Sequence, residues 1–146
     1  IYHARDATVN DWLNKRMHRS EFMPFAPVTT AELAPRCFVG WEKSHLTTRY
    51  MTECYDCTPE MKTNSPAVVH VDGTARPQII ERADNPLYFD LVDGWNKKTG
   101  DLCLINTSFN QHEHPIVHTI FDAIDSMLAD NVDVVVAEDQ YLIRKK

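Results

Sequence analysis

Residues 67 to 80 alternate between apolar and polar positions as a turn between two short strands would. Ala67-Val68-Val69 is an apolar run with β-branched bias and predicts a strand. Asp72-Gly73 is a turn dipeptide that tolerates positive φ, and Ile79-Ile80 resumes the apolar pattern. Between them His70, Asp72, Thr74, Arg76 and Gln78 fall on every second position, so an extended backbone would put all five on one face. Such a face offers a guanidinium, a carboxylate, a hydroxyl and an amide, a set suited to a polar, anionic ligand. The spacing alone favours the plainer reading, a solvated edge hairpin.

Helical periodicity flanks this segment on both sides. Val9, Trp12, Leu13 and Met17 predict a helix over 8–18, with Thr8 as N-cap and Asp11 three residues on. Its last turn carries Lys15, Arg16, His18 and Arg19, cations that suit the helix dipole. Pro24-Phe25-Ala26-Pro27 enforces an extended segment through Val28, and a short helix limited by Pro35 is expected within 30–38. Leu46–Thr52 reads as a strand and Thr58–Ser65 as a loop. Asn85 then Pro86 open a helix lined by Leu87, Leu91 and Trp95 and closed by Gly100. Leu102–Ile105 reads as a buried strand running into the polar loop Asn106–Asn110. Thr119 with Asp122 predicts a capping box for a helix facing inward with Ile120, Ile124, Met127 and Leu128. Val132–Ala137 and Tyr141–Ile143 close the chain as strands around a turn at 138–140. Helices separating β segments predict an α/β fold (mixed α+β), a mixed sheet covered by helices.

The length, 146 residues, accommodates one domain with a sizeable core, and 43% hydrophobic with 25% charged residues is a globular balance. A net charge of −6 argues against a nucleic-acid-coating surface. No run approaches the ~20 apolar residues of a membrane helix, so neither membrane nor nucleic acid is an expected partner. The chain opens at Ile1 in mid-pattern and reads as a fragment of a longer protein. Cys37, Cys54, Cys57 and Cys103 read as reduced, cytosolic structural cysteines, since the Cys54-x-x-Cys57 pair has no second pair to complete a zinc site. The run His112, Glu113, His114 and His118 is interrupted by Pro115, and no metal site is expected from it.

The chemistry that remains is anion binding. There is no GxxxxGK[ST] and no GxGxxG, and Ser108 lacks the GxSxG elbow of a hydrolase nucleophile. Arg76, the Ser108 and Asn110 pair, Asn106 at the head of their loop, and Lys15, Arg16 and Arg19 are the candidates for nucleotide or acyl-phosphate binding.

Three blocks carry a resemblance that spans nearly the whole chain: Asn14–Pro27 (NKRMHRSEFMPFAP), Ser65–Gln78 (SPAVVHVDGTARPQ) and Ile105–Val117 (INTSFNQHEHPIV). In this order they resemble the carboxy-terminal domain of the O-carbamoyltransferases, the nodulation-type and antibiotic-tailoring enzymes. The resemblance implies a YrdC/Sua5-like twisted mixed sheet that binds ATP and carbamoyl phosphate and forms carbamoyl-adenylate. It implies small-molecule substrates, a cytoplasmic location, and an amino-terminal actin-like ATPase-type domain of the same chain that holds a metal and performs the transfer. Residue by residue it implies Lys15, Arg16, Arg19, Arg76, Ser108 and Asn110 for ligand binding, with Arg76, Ser108 and Asn110 closest to the chemistry. Met17-His18-Arg19 departs from the family's Lys-x-Arg, and His114 stands where glutamate is more usual.

Overall fold

The computed structural model describes residues 1–18, 24–110 and 113–146. In chain order the elements are β1 (Tyr2–His3), α1 (Val9–Arg16), β2 (Ala26–Thr30), α2 (Ala34–Cys37), α3 (His45–Thr48), β3 (Tyr55–Asp56), α4 (Pro59–Asn64), β4 (Thr74–Ala75), β5 (Gln78–Ile80), α5 (Pro86–Thr99), β6 (Leu104–Asn106), α6 (Ile120–Leu128), β7 (Val134–Ala137) and β8 (Tyr141–Arg144). The fold is mixed α/β, as the alternation of periods predicts. It divides into two compact units, residues 1–10 with 24–107, and residues 11–23 with 108–146.

The first unit is built on a four-stranded sheet in the order β1-β6-β2-β5. The central β2 is buried at all five positions, runs parallel to β5 (Val28↔Gln78 to Thr30↔Ile80) and antiparallel to β6 (Ala26↔Asn106 to Val28↔Leu104). Helix α5 supplies Phe89 and Val92, which with Val28, Ile80 and Leu104 form the core, and Tyr88 and Trp95 pack at its margin. Its ends follow the sequence: the Asn85 side chain accepts from the Tyr88 amide, Pro86 starts the helix, and Gly100 ends it at φ 78°. Beneath the sheet the Thr29 hydroxyl, itself fully buried, donates to the Leu102 carbonyl at 2.7 Å.

The apolar stripe of α5 is not the expected one. Leu87 and Leu91 are exposed, and the buried positions are Phe89 and Val92. Both stripes have helical spacing, and the larger aromatic surface decides which turns inward.

Three segments differ in type from the pattern. Leu46–Thr52 is not a strand: a 3-10 turn over Trp41–Ser44 continues into α3. The Thr47 and Thr48 hydroxyls donate back to the carbonyls of Ser44 (2.7 Å) and His45 (2.8 Å), offering these β-formers a helical alternative. Thr58–Ser65 is not a loop but contains α4, capped by Thr58, whose hydroxyl oxygen accepts from the Met61 amide at 3.1 Å, with Pro59 in the first turn and Met61 fully buried. Thr58→Ala loses this cap and the hydroxyl's 2.5 Å bond to the Arg36 carbonyl. The expected cost is about 1–2 kcal/mol by denaturant melt, with Thr58→Ser recovering most of it. Ala67–Val69 is not a strand either: Ala67 and Val68 are buried within a 3-10 turn begun by Pro66.

In the second unit α6 begins with the predicted capping box, the Thr119 side chain accepting from the Asp122 amide and Asp122 accepting from the Thr119 amide. Its inward face is Ala123 and Met127, with Ser126 also buried, against Val135. Ile120 and Leu128, expected inside, are exposed. β7 and β8 form the closing hairpin, paired from Val134↔Arg144 to Ala137↔Tyr141. Its turn holds Glu138 and Asp139 at positive φ, 52° and 58°. No helix of the described residues is long and apolar enough to cross a membrane.

Candidate functional site

Arg76 leaves the first unit from a fixed base. Ala75 before it and Pro77 after it are both fully buried, while Arg76 itself is exposed. Ala75 pairs with Tyr55 across the β3–β4 ladder, and Gln78 two residues on enters the main sheet. Glu81 and Asp84, the acids that follow Arg76 in the chain, are already taken. Arg49 contacts Glu81 at 3.5 Å and Asp84 at 3.1 Å, and His45 lies 2.6 Å from Glu81. Arg76 makes no hydrogen bond or ion pair with the described residues. Its planar fork, which bonds two oxygens at once, is therefore open to an anion from solution.

The turn before Arg76 is tighter than a hairpin between two strands. The His70 amide donates to the Thr74 carbonyl at 2.7 Å, the Gly73 amide to the His70 carbonyl at 2.9 Å, and Gly73 has φ 84°. A Cβ at Gly73 would sit 2.8 Å from the Lys62 amine, the far end of a flexible side chain that can move aside, so the backbone angle is what selects glycine. The Asp72 carboxylate accepts from the Thr74 amide (2.9 Å) and hydroxyl (2.8 Å), which hold its pKa below the usual carboxylate range. Since the Thr74 proton goes to Asp72, His70 Nδ1, 3.1 Å from the same hydroxyl, is the donor there, and Nε2 keeps its lone pair. Burial lowers the His70 pKa, Asp72 opposes that, and Arg76 lowers it further. The folded state thus favours neutral His70, and this contribution to stability is present above the ordinary histidine pKa and lost as pH falls below it. A proton NMR titration is expected to place His70 below ordinary histidine, and Arg76→Ala is expected to raise its midpoint.

Asn106 ends β6 on the side of the main sheet where β2 and β5 begin. Its Nδ2 donates to Gln78 Oε1 at 2.7 Å, and Gln78 Nε2 donates to the Arg49 carbonyl at 3.3 Å. Two polar side chains are thereby tied across β2, with Gln78 facing Val28 on one side and Asn106 facing Ala26 on the other.

The second unit holds the other candidates. Ser108 and Asn110, expected as a pair, are in contact: the Ser108 hydroxyl donates to Asn110 Oδ1, and Asn110 Nδ2 donates to the His114 carbonyl at 3.1 Å. Lys15 is exposed, and its side-chain amine makes no hydrogen bond or ion pair with the described residues. Arg16 is differently placed. Nη1 and Nη2 grip Asp133 at 2.9 and 2.7 Å, Nε donates to the Asp130 carbonyl at 2.6 Å, and the guanidinium lies 5.0 Å from the centre of the Trp12 ring. Its fork is spent on the protein, a role the bare run of cations in the sequence did not disclose. Arg19 and His112 lie outside the described residues.

Burial pushes the Cys57 thiol up to about 11 and the Cys37 thiol up to about 12, and Cys103 higher still, so the buried thiols stay protonated. Among the described residues no group of three His, Cys, Asp or Glu side chains is placed to hold a metal ion.

Residues 1–145 match the family model described as Carbamoyltransferase C-terminus. The chain belongs to this family. Its relatives include an uncharacterized protein of Methanocaldococcus jannaschii, 37% identical over 97% of this chain and 23% of the relative. Nodulation protein NolNO of Sinorhizobium fredii is 34% identical over 97% of this chain and 21% of its own length. Nodulation protein U of Rhizobium tropici is 37% identical over 75% of this chain and 18% of its own length. The chain thus spans about a fifth to a quarter of the relatives it matches end to end. The membership covers both units of this carbamoyltransferase domain and all three blocks read from the sequence.

Proposed function

We propose that this carbamoyltransferase domain binds ATP and carbamoyl phosphate and forms carbamoyl-adenylate, which an amino-terminal domain of the same chain passes to a hydroxyl acceptor. The reaction balances as ATP, carbamoyl phosphate and water giving carbamoyl-adenylate, pyrophosphate and phosphate. Water attacks the phosphorus of carbamoyl phosphate and breaks its P–O bond to the carbamoyl group, releasing phosphate; the carbamate oxygen so freed bonds to the α-phosphorus of ATP as the bond from that phosphorus to pyrophosphate breaks. One observation carries this reading: within a family match over 1–145, Arg76 presents a guanidinium without a hydrogen-bond or ion-pair partner among the described residues, from a base buried on both sides. In this reading Arg76 neutralises phosphate charge as it develops at the reacting phosphorus. Ser108 and Asn110 exchange their mutual hydrogen bond for ligand oxygens, and Lys15 and Arg19 add positive charge. In this reading the domain works in the cytoplasm, where ATP is supplied. The metal belongs to the amino-terminal domain.

A second reading, a nucleotide-binding domain without the chemistry, is favoured by Arg16, whose three nitrogens are held by Asp130 and Asp133, and by Met17 in place of lysine. Pyrophosphate release separates the two. The proposed activity releases pyrophosphate from ATP only when carbamoyl phosphate is present. A binding domain takes up ATP in calorimetry and releases none.

A further inference from the structure

Gln78 and Asn106 form a chain of amides whose polarity is fixed from one end. The Arg49 carbonyl can only accept, so the end of Gln78 that faces it must be Nε2, the donor, at 3.3 Å. That turns Gln78 Oε1 to Asn106, and an oxygen there requires Asn106 to present Nδ2, which it does at 2.7 Å. The two ends of a side-chain amide point apart, so Asn106 Oδ1 faces away from Gln78. It accepts no hydrogen bond from the described residues. Asn106 is half-buried, as is Gln78, and it sits at the end of β6, two residues ahead of Ser108 in the chain. Arg76 lies two residues before Gln78, between β4 and β5.

We propose that Gln78 is a positioning residue that locks Asn106 with its oxygen outward, and that this oxygen accepts from the amino group of the carbamoyl donor. The assignment rests on the reading that the domain uses carbamoyl phosphate. Acetyl phosphate matches that donor in shape and charge but carries a methyl group where carbamoyl carries NH2. A locked acceptor bonds the amino group and leaves its oxygen unpaired against the methyl, which is how a site built around one hydrogen bond rejects an isostere. Without Gln78 the Asn106 amide is free to flip, and its NH2 face gives the amino group no advantage.

The test is pyrophosphate release by the intact protein with ATP and either carbamoyl phosphate or acetyl phosphate, in wild type, Gln78→Leu and Asn106→Leu. Wild type is expected to prefer carbamoyl phosphate. Both variants are expected to lose about tenfold of that preference, through a raised KM for carbamoyl phosphate, with the KM for ATP unchanged. A merely structural role would slow both donors alike and leave the ratio intact, and that result overturns the assignment, as does a ratio unchanged at wild-type rates. If Gln78→Leu fails to fold, the ratio in Asn106→Leu decides. Wild type inactive with both donors would instead remove the carbamoyl-adenylate reading, and this assignment with it.

Discussion

Phe89→Ala is expected to destabilise the protein by about 3–5 kcal/mol, the range for emptying a buried aromatic site. Phe89 is 5% exposed and packs with Val28 and Leu104 from the sheet centre, Ile80 from its edge, and Val92 from its own helix. The Arg82 guanidinium covers one side of the ring at 4.5 Å from its centre. Truncation removes the larger of the two buried side chains that α5 packs on the sheet here, and neighbours from three strands cannot collapse together into the gap. Leu91→Ala, two positions on, is expected to change stability by no more than about 0.5 kcal/mol, because Leu91 is 47% exposed. Denaturant melts of the two variants check the orientation of α5. Equal costs, or a larger cost at Leu91, would contradict it.

Arg76→Ala is expected to leave the melting midpoint within a degree or two of wild type and to weaken binding of ATP or carbamoyl phosphate by about 1.5–3 kcal/mol, roughly 10- to 150-fold. The two halves of this expectation come from different observations. Folding is spared because the side chain is exposed and has no protein partner among the described residues, while Ala75 and Pro77 keep the backbone in place. Binding suffers because a charged, two-pronged donor is lost. Arg76→Lys keeps the charge but not the fork, and recovers only part of the affinity. Calorimetric titration of the three proteins, alongside their melts, measures both halves. Wild-type affinity in Arg76→Ala would show that the guanidinium serves no ligand.

The sequence disclosed most where a signal is local and covalent. Asn85-Pro86 and Gly100 mark α5, Thr119 with Asp122 marks α6, and Asp72-Gly73 marks the turn, because caps and positive φ depend on a few neighbouring residues. It disclosed least where two patterns of equal period compete. The stripe of Leu87 and Leu91 and that of Phe89 and Val92 both suit a helix, and only the sheet beneath chooses between them. Leu46–Thr52 misleads for a related reason: β-branched threonines favour strands until a hydroxyl finds a carbonyl one turn back. Thr58-Pro59 was a legible N-cap and first turn, obscured by the polar residues around it.

The candidate site divides in the same way. Ser108 and Asn110 stand together as their spacing suggests, and Arg76, beside a tight turn, has no hydrogen-bond or ion-pair partner among the described residues. Arg16 is not distinguishable in sequence from Lys15, yet its fork is bound to an acid 117 residues away. The Gln78–Asn106 bridge spans 28 residues and is likewise a product of strand order, which composition and spacing do not encode.

The central claim is most directly tested by isotope exchange between labelled pyrophosphate and ATP, catalysed by the intact protein with and without carbamoyl phosphate. Formation of carbamoyl-adenylate predicts label entering ATP only when carbamoyl phosphate is present, and a marked fall in that exchange in Arg76→Ala. Nucleotide binding with no exchange, or exchange that ignores carbamoyl phosphate, would contradict it.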